Sequence, residues 1–443
     1  MQLNNRRIPR RLSSAIINSL SAGVTPRVGL EYINVGRREE IEALLTDLEN
    51  VSEQGGAFRF IIGRYGSGKT FLLQLFRNHA MDRGFVVADV DLSPQRRFTS
   101  SDDAGLATYR ELMNNLAIKA KPDGGALPSI IERWISGVQS RVRQETGLTP
   151  EDPAFQKAVE AEIYAVINNM EGMVHGFDFA RVLATYWEGH YQFDDDRKSA
   201  ALRWLRGEFS TKTEARLALG VRVIITDEDW YDYIKLFATF VAQIDYNGLI
   251  IFIDEAVNLY KISHTVSRNT NYEKLLTMFN DTMQGKAQSL GILVGGTPPF
   301  LEDQRRGLYS YKALETRLSA SRFAKDGLKD VSGPVIRLQI LNTDEVFTLL
   351  TRILEVYLAY YGFNPNLTAE DLQLFLQGIA ERIGADQLLT PREVVRDFIT
   401  VLNLLRQNPG TNFRDILGSE DFQPTAEHDP DVDETGDYAE FSL

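Results

Sequence analysis

None of the 443 residues is cysteine. That excludes disulfides, thiolate zinc sites and cysteine nucleophiles, and it fits a reducing compartment. Long apolar runs are also missing. A membrane span needs about 20 apolar residues, and the longest clear candidate, 249–253, stops at Asp254 and Glu255. A secretion signal is not legible either, because Arg6, Arg7, Arg10 and Arg11 lead into mixed amphipathic sequence with no apolar h-region. These absences predict a cytoplasmic protein with no membrane partner.

Positive charge is scarce at one end. From Glu420 onward there are nine acidic residues and no Lys or Arg, so about −4 of the formal −13 falls on the rest of the chain. Basic faces therefore remain open elsewhere, for instance at RRIPRR, 6–11, which could meet phosphates or stay solvated. With 43% hydrophobic and 25% charged residues the composition is that of a globular protein. Its length suffices for two or three units with their own cores.

What is present centres on FRFIIGRYGSGKTF, 58–71. Gly63, Gly68, Lys69 and Thr70 fit G-x-x-x-x-G-K-[ST], a strand-like run precedes them, and a helical pattern opens at Phe71. The glycines let successive N–H groups of Arg64, Tyr65, Gly66 and Ser67 turn toward phosphates, at the positive end of the next helix. Lys69 is expected on the β/γ-phosphates of ATP and the Thr70 hydroxyl on Mg²⁺.

In chain order, a basic arm and helix occupy 1–30, and 31–98 holds the first part of a nucleotide-binding core. In that part FVVADVDL, 85–92, reads as a second buried strand, with Asp89 and Asp91 near the carboxyl edge where ligands collect in α/β sheets. Residues 99–227 are helix-favouring and charged and read as an insertion, since an unstructured loop of that length is implausible. The core resumes over 228–341, a helical lid follows over 342–415, and 416–443 reads as a disordered acidic tail.

The run GLIIFIDEA, 248–256, ends a buried strand in Asp254-Glu255. After a phosphate loop, this pair suits Asp254 holding Mg²⁺ and Glu255 orienting or deprotonating the attacking water. No Asn/Thr-Lys-x-Asp guanine signature follows, which argues against GTP. GILVGG leads into Thr297, a sensor candidate that could instead cap the turn before Pro298 and Pro299. Arg305, Arg306, Arg317 and Arg322 follow, and Arg317 is the candidate to stabilise transition-state charge in a neighbouring copy.

This succession resembles an AAA+ ATPase of the origin-recognition and helicase-loader branch. Val35-Gly36-Arg37 resembles the box before the phosphate loop, and Thr390-Pro391-Arg392-Glu393 resembles the lid's sensor-2 segment. More narrowly, NSLSAGVTPRVGLEYINVGR, IIGRYGSGKTF, DVDLSPQRRF, LRWLRGE, LVGGTPPFLED and LLTPREVVRDF are similar to the P-loop ATPases of BREX-type phage-defence systems, over about 15–415. The resemblance implies an α/β fold of the P-loop NTPase type (AAA+/ASCE), a parallel sheet with a large helical insertion and a C-terminal α-helical lid. It also implies nucleotide contacts from Gly36, Arg37 and Arg392, and an ATPase that works beside a helicase or nuclease, as a homo-oligomer or by loading a partner onto DNA. No winged helix is expected after the lid, a departure from the origin-recognition pattern that weighs against direct DNA binding; DNA stays open as a partner, direct or through another protein. Two other readings stay open: a nucleotide-dependent switch with little turnover, and a motor that binds DNA itself.

Overall fold

The computed structural model describes residues 7–319, 331–383 and 390–418. Arg322 and the acidic stretch from 419 onward lie outside the described residues.

Five strands form one parallel sheet: β1 (Gly56–Gly63), β2 (Val86–Asp91), β3 (Leu249–Asp254), β4 (Leu290–Gly296) and β5 (Val335–Leu338). Their spatial order is β2-β3-β4-β1-β5. Every residue of β3 and β4 is buried, as strands covered on both faces require. The register between β2 and β3 pairs Asp91 with Asp254, and that between β3 and β4 pairs Ile253 with Val294. β3 and β1 are not neighbours; β4 lies between them. The chain has the fold of a P-loop NTPase.

Two compact units divide the chain. One comprises 42–60 and 77–336, the other 1–41, 61–76 and 337–443. The boundary passes through β1 after Phe60 and through β5 after Ile336.

In the first unit, residues 99–227 supply the helices Ala104–Asn114, Leu127–Thr146, Pro153–Asn168, Gly176–Gln192, Asp195–Leu205 and Lys212–Leu219. They are joined to the sheet's helix Trp230–Gln243 by aromatic packing: Trp134 meets Phe240 edge-on at 5.1 Å and Trp204 meets Tyr233 at 5.4 Å. The buried Asp227 carboxylate accepts hydrogen bonds from Thr99 Oγ1 at 2.6 Å, Ser100 N at 3.0 Å and Gly105 N at 2.6 Å. Those bonds satisfy a charge that burial would otherwise make costly, and they fix the root of the helical region.

In the second unit, Ile16 and Ile17 of the helix Arg10–Ser21 share a core with Leu350, Ile353 and Tyr357 of Thr343–Tyr361 and with Phe398 and Leu402 of Pro391–Gln407. Asn342 and Glu345 close a reciprocal cap at the start of Thr343–Tyr361. Thr390 and Glu393 do the same for Pro391–Gln407, where Pro391 supplies the preset first-turn geometry.

Candidate nucleotide site

The phosphate loop runs from the end of β1 into the helix Lys69–Asp82. Gly66 and Gly68 have φ of +74° and +87°. Nothing lies within 4 Å of a Cβ built on Gly68, so its left-handed backbone, not crowding, demands glycine there. Gly63 is the opposite case, since its Cβ would stand 2.2 Å from Ser67 Oγ. Ser67 is buried and its hydroxyl has no partner. Lys69 Nζ donates to the carbonyl oxygens of Gly63 at 2.8 Å and Arg64 at 3.0 Å, which curls the side chain back over the loop. Thr70 is exposed, and Phe71 packs on the unit's core. Two left-handed glycines, a lysine over the turn and the N–H groups of a new helix fit a triphosphate.

The residues before the core join this loop. Arg37, itself at φ +61°, donates to Ser67 O at 2.9 Å and to Gln339 O, and pairs with Glu40 at 3.6 Å. Burial draws its pKa below the usual guanidinium range, with Glu40 and Glu345 pulling the other way. Gly36 has φ +67°, and its Cβ would stand 2.6 Å from Glu345 Oε1. From the helix Pro391–Gln407, Arg392 donates to Tyr65 OH at 2.5 Å with its guanidinium 5.2 Å from the ring centroid. A Cβ on Gly66 would meet Thr390 Cβ and Cγ2 at 2.6 Å. Gly36, Arg37, 63–71 and Arg392 thus converge within one unit.

The family model of the BREX system ATP-binding protein BrxC/D matches residues 8–421. The chain belongs to this family. No curated protein matches it in sequence. As a BREX system ATP-binding protein, the chain carries its phosphate loop within the matched span, along with the acidic strand end described next.

In the other unit Asp254 is buried at the end of β3, and its Oδ1 accepts the Glu255 N–H at 2.9 Å. Glu255 is exposed with φ +56°, an unusual backbone for a residue that is not glycine. Asp91 reaches the surface beside Asp254, yet partial desolvation, then Asp254 and Asp89, raise its carboxyl pKa. Arg77 neutralises Asp89 at 2.8 Å. Thr297 is buried after β4, with its hydroxyl unpartnered and making no side-chain cap to the following short helix.

Arg317 is exposed on the helix Lys312–Leu318 and donates to Asn280 Oδ1 at 3.1 Å and Ala313 O at 2.7 Å. Arg306 lies over the Tyr260 ring. Among the described residues no group of three or more His, Asp and Glu could hold a metal by itself. No described helix is long and apolar enough to cross a membrane.

Sequence reasoning passed over Glu345 beside Gly36 and the Gln339 carbonyl that Arg37 grips, and it named Thr390 only within the sensor-2 segment, not against Gly66. The capping pattern around Thr390 was readable. Its contact with a glycine more than three hundred residues earlier in the chain has no local signature.

Proposed function

We propose that the chain hydrolyses ATP as an AAA+ protein and couples hydrolysis to remodelling or loading of a DNA-acting partner, such as a helicase or nuclease, in antiphage defence. Lys69 and the loop 63–71 bind the phosphates, assisted by Gly36, Arg37 and Arg392. Thr70 and Asp254 would hold Mg²⁺, an ion that takes oxygen ligands and would supply positive charge to the phosphates. Glu255 activates water and Thr297 senses the terminal phosphate.

The observation that carries this reading is the split between two adjacent carboxylates: Asp254 is buried and takes the Glu255 N–H, while Glu255 turns out to solvent on a left-handed backbone. Backbone strain of this kind collects at functional sites. Phosphate release and ATP binding should be compared for wild type, Lys69→Ala and Glu255→Gln with Mg²⁺. Lys69→Ala should lose binding, and Glu255→Gln should bind without turnover. Equal phosphate release from all three would sink the proposal.

A nucleotide-dependent switch with little turnover is the second reading, favoured by Arg317 being held within its own chain. If Arg317 acts on a neighbouring copy, Arg317→Ala keeps nucleotide binding, loses hydrolysis and recovers part of it when mixed with Lys69→Ala protein. Failure of that mixing, with no stimulation by DNA or partner, favours the switch. Direct DNA binding would show as affinity that falls steeply with salt.

A further inference from the structure

Tyr65 occupies one of the variable positions of the phosphate loop, where the motif itself requires no aromatic ring. Arg392 stands in the first turn of the lid helix Pro391–Gln407. One of its η nitrogens reaches the Tyr65 hydroxyl at 2.5 Å and the guanidinium lies 5.2 Å from the ring centroid. The contact is therefore both a hydrogen bond and a cation–π pair. A guanidinium carries five N–H donors in a rigid fork, so the hydrogen bond to Tyr65 leaves donors over for an anion. Next to this pair, Thr390 fills the space beside Gly66, and its reciprocal cap with Glu393 fixes where the helix begins. The backbone of Arg392 is thus set by Thr390. Its long side chain, exposed to solvent, would sample many rotamers without Tyr65.

We propose that Tyr65 is a positioning residue for Arg392, holding the guanidinium over the phosphate loop so that the lid distinguishes ATP from ADP. This rests on the reading of 63–71 and Arg392 as nucleotide contacts. The ring supplies a flat seat and the hydroxyl sets the rotation of the fork, so that an arriving triphosphate meets an ordered donor.

The test is equilibrium binding of fluorescently labelled ATP and ADP to the full chain under conditions without turnover. The variants are Tyr65→Ala, Tyr65→Phe, Arg392→Ala and the double Tyr65→Ala/Arg392→Ala. Each alanine variant should reduce the preference for ATP over ADP by about tenfold. The double variant should be no worse than either single, and Tyr65→Phe, which keeps the ring, should fall between. Additive losses, or a Tyr65→Ala variant that weakens ATP and ADP equally, would overturn the proposal in favour of a purely structural ring. Should Tyr65→Ala unfold, Arg392→Lys decides: it keeps the charge but cannot lie flat on the ring, so full retention of discrimination would overturn the proposal. If Lys69→Ala binds both nucleotides as wild type does, the nucleotide reading itself fails, an outcome distinct from these.

Discussion

Arg37 donates a hydrogen bond of 2.9 Å to the carbonyl oxygen of Ser67, which ties the segment before the core to the middle of the phosphate loop. The same guanidinium reaches Gln339 O, so one largely buried side chain joins three segments of one unit. Hydrogen bonds from a charged group contribute about 1.5–3 kcal/mol. Arg37→Ala is expected to lower the melting temperature and weaken ATP binding together. Arg37→Lys should rescue little, because a point charge cannot serve two carbonyls as a planar fork does. Unchanged melting and binding in Arg37→Ala would contradict this role.

Gly63 is required by proximity. A methyl group there would stand 2.2 Å from Ser67 Oγ, 3.1 Å from Ser67 Cβ and 3.2 Å from Leu338 Cβ. Gly63→Ala is expected to destabilise by about 1–3 kcal/mol, as overpacking does. Adding Ser67→Ala removes the closest atom and should recover part of the loss. Denaturant unfolding of both variants checks it, and absence of any recovery would place the strain elsewhere.

Thr297 carries a buried hydroxyl with no partner, and a buried unsatisfied group costs about 1–3 kcal/mol. Thr297→Val keeps the shape and removes that group. Thermal stability should hold or rise while ATP hydrolysis falls. This opposite movement separates a sensing hydroxyl from a structural one, and undiminished hydrolysis would remove Thr297 from the site.

Asp371 gives an acid-dependent contribution. Its carboxylate accepts from Thr368 N at 2.9 Å, Thr368 Oγ1 at 2.8 Å and Arg414 Nε at 3.0 Å. The Thr368 backbone bond leads in lowering its pKa below 3.8. A carboxylate lowered on folding adds stability above its unfolded pKa, and that stability is lost as pH falls through the folded value. Asp371→Asn should therefore melt lower than wild type near pH 7, with the gap closing as acidification carries the pH below the ordinary aspartate range. A gap independent of pH would exclude the charge as its source.

Much of the candidate site was readable because its chemistry is local. Gly63, Gly68, Lys69 and Thr70 form a contiguous turn whose backbone dictates its residues, and β3 is an unbroken apolar run ending in two acids. The strand order β2-β3-β4-β1-β5 was not readable, since which strands pair depends on packing between distant segments. The N-terminal segment shows the same limit. Its periodicity foretold a helix, and RRIPRR drew notice to charge. Ile16 and Ile17 nevertheless join a core made mostly by helices after residue 342, and no spacing within twenty residues reveals a partner that remote. The Arg37 grip on Ser67 is equally hidden, because it needs an arginine with a left-handed backbone.

The division of the chain also orders events during synthesis. The unit that contains the phosphate loop is assembled from 1–41, 61–76 and 337–443. Domains generally fold as units as they leave the ribosome. Here the loop is made before Gln339, Thr390 and Arg392, which contact Arg37, Gly66 and Tyr65. A nascent chain stalled before residue 337 therefore carries the whole GKT sequence without the three contacts that brace Arg37, Gly66 and Tyr65 in the folded unit.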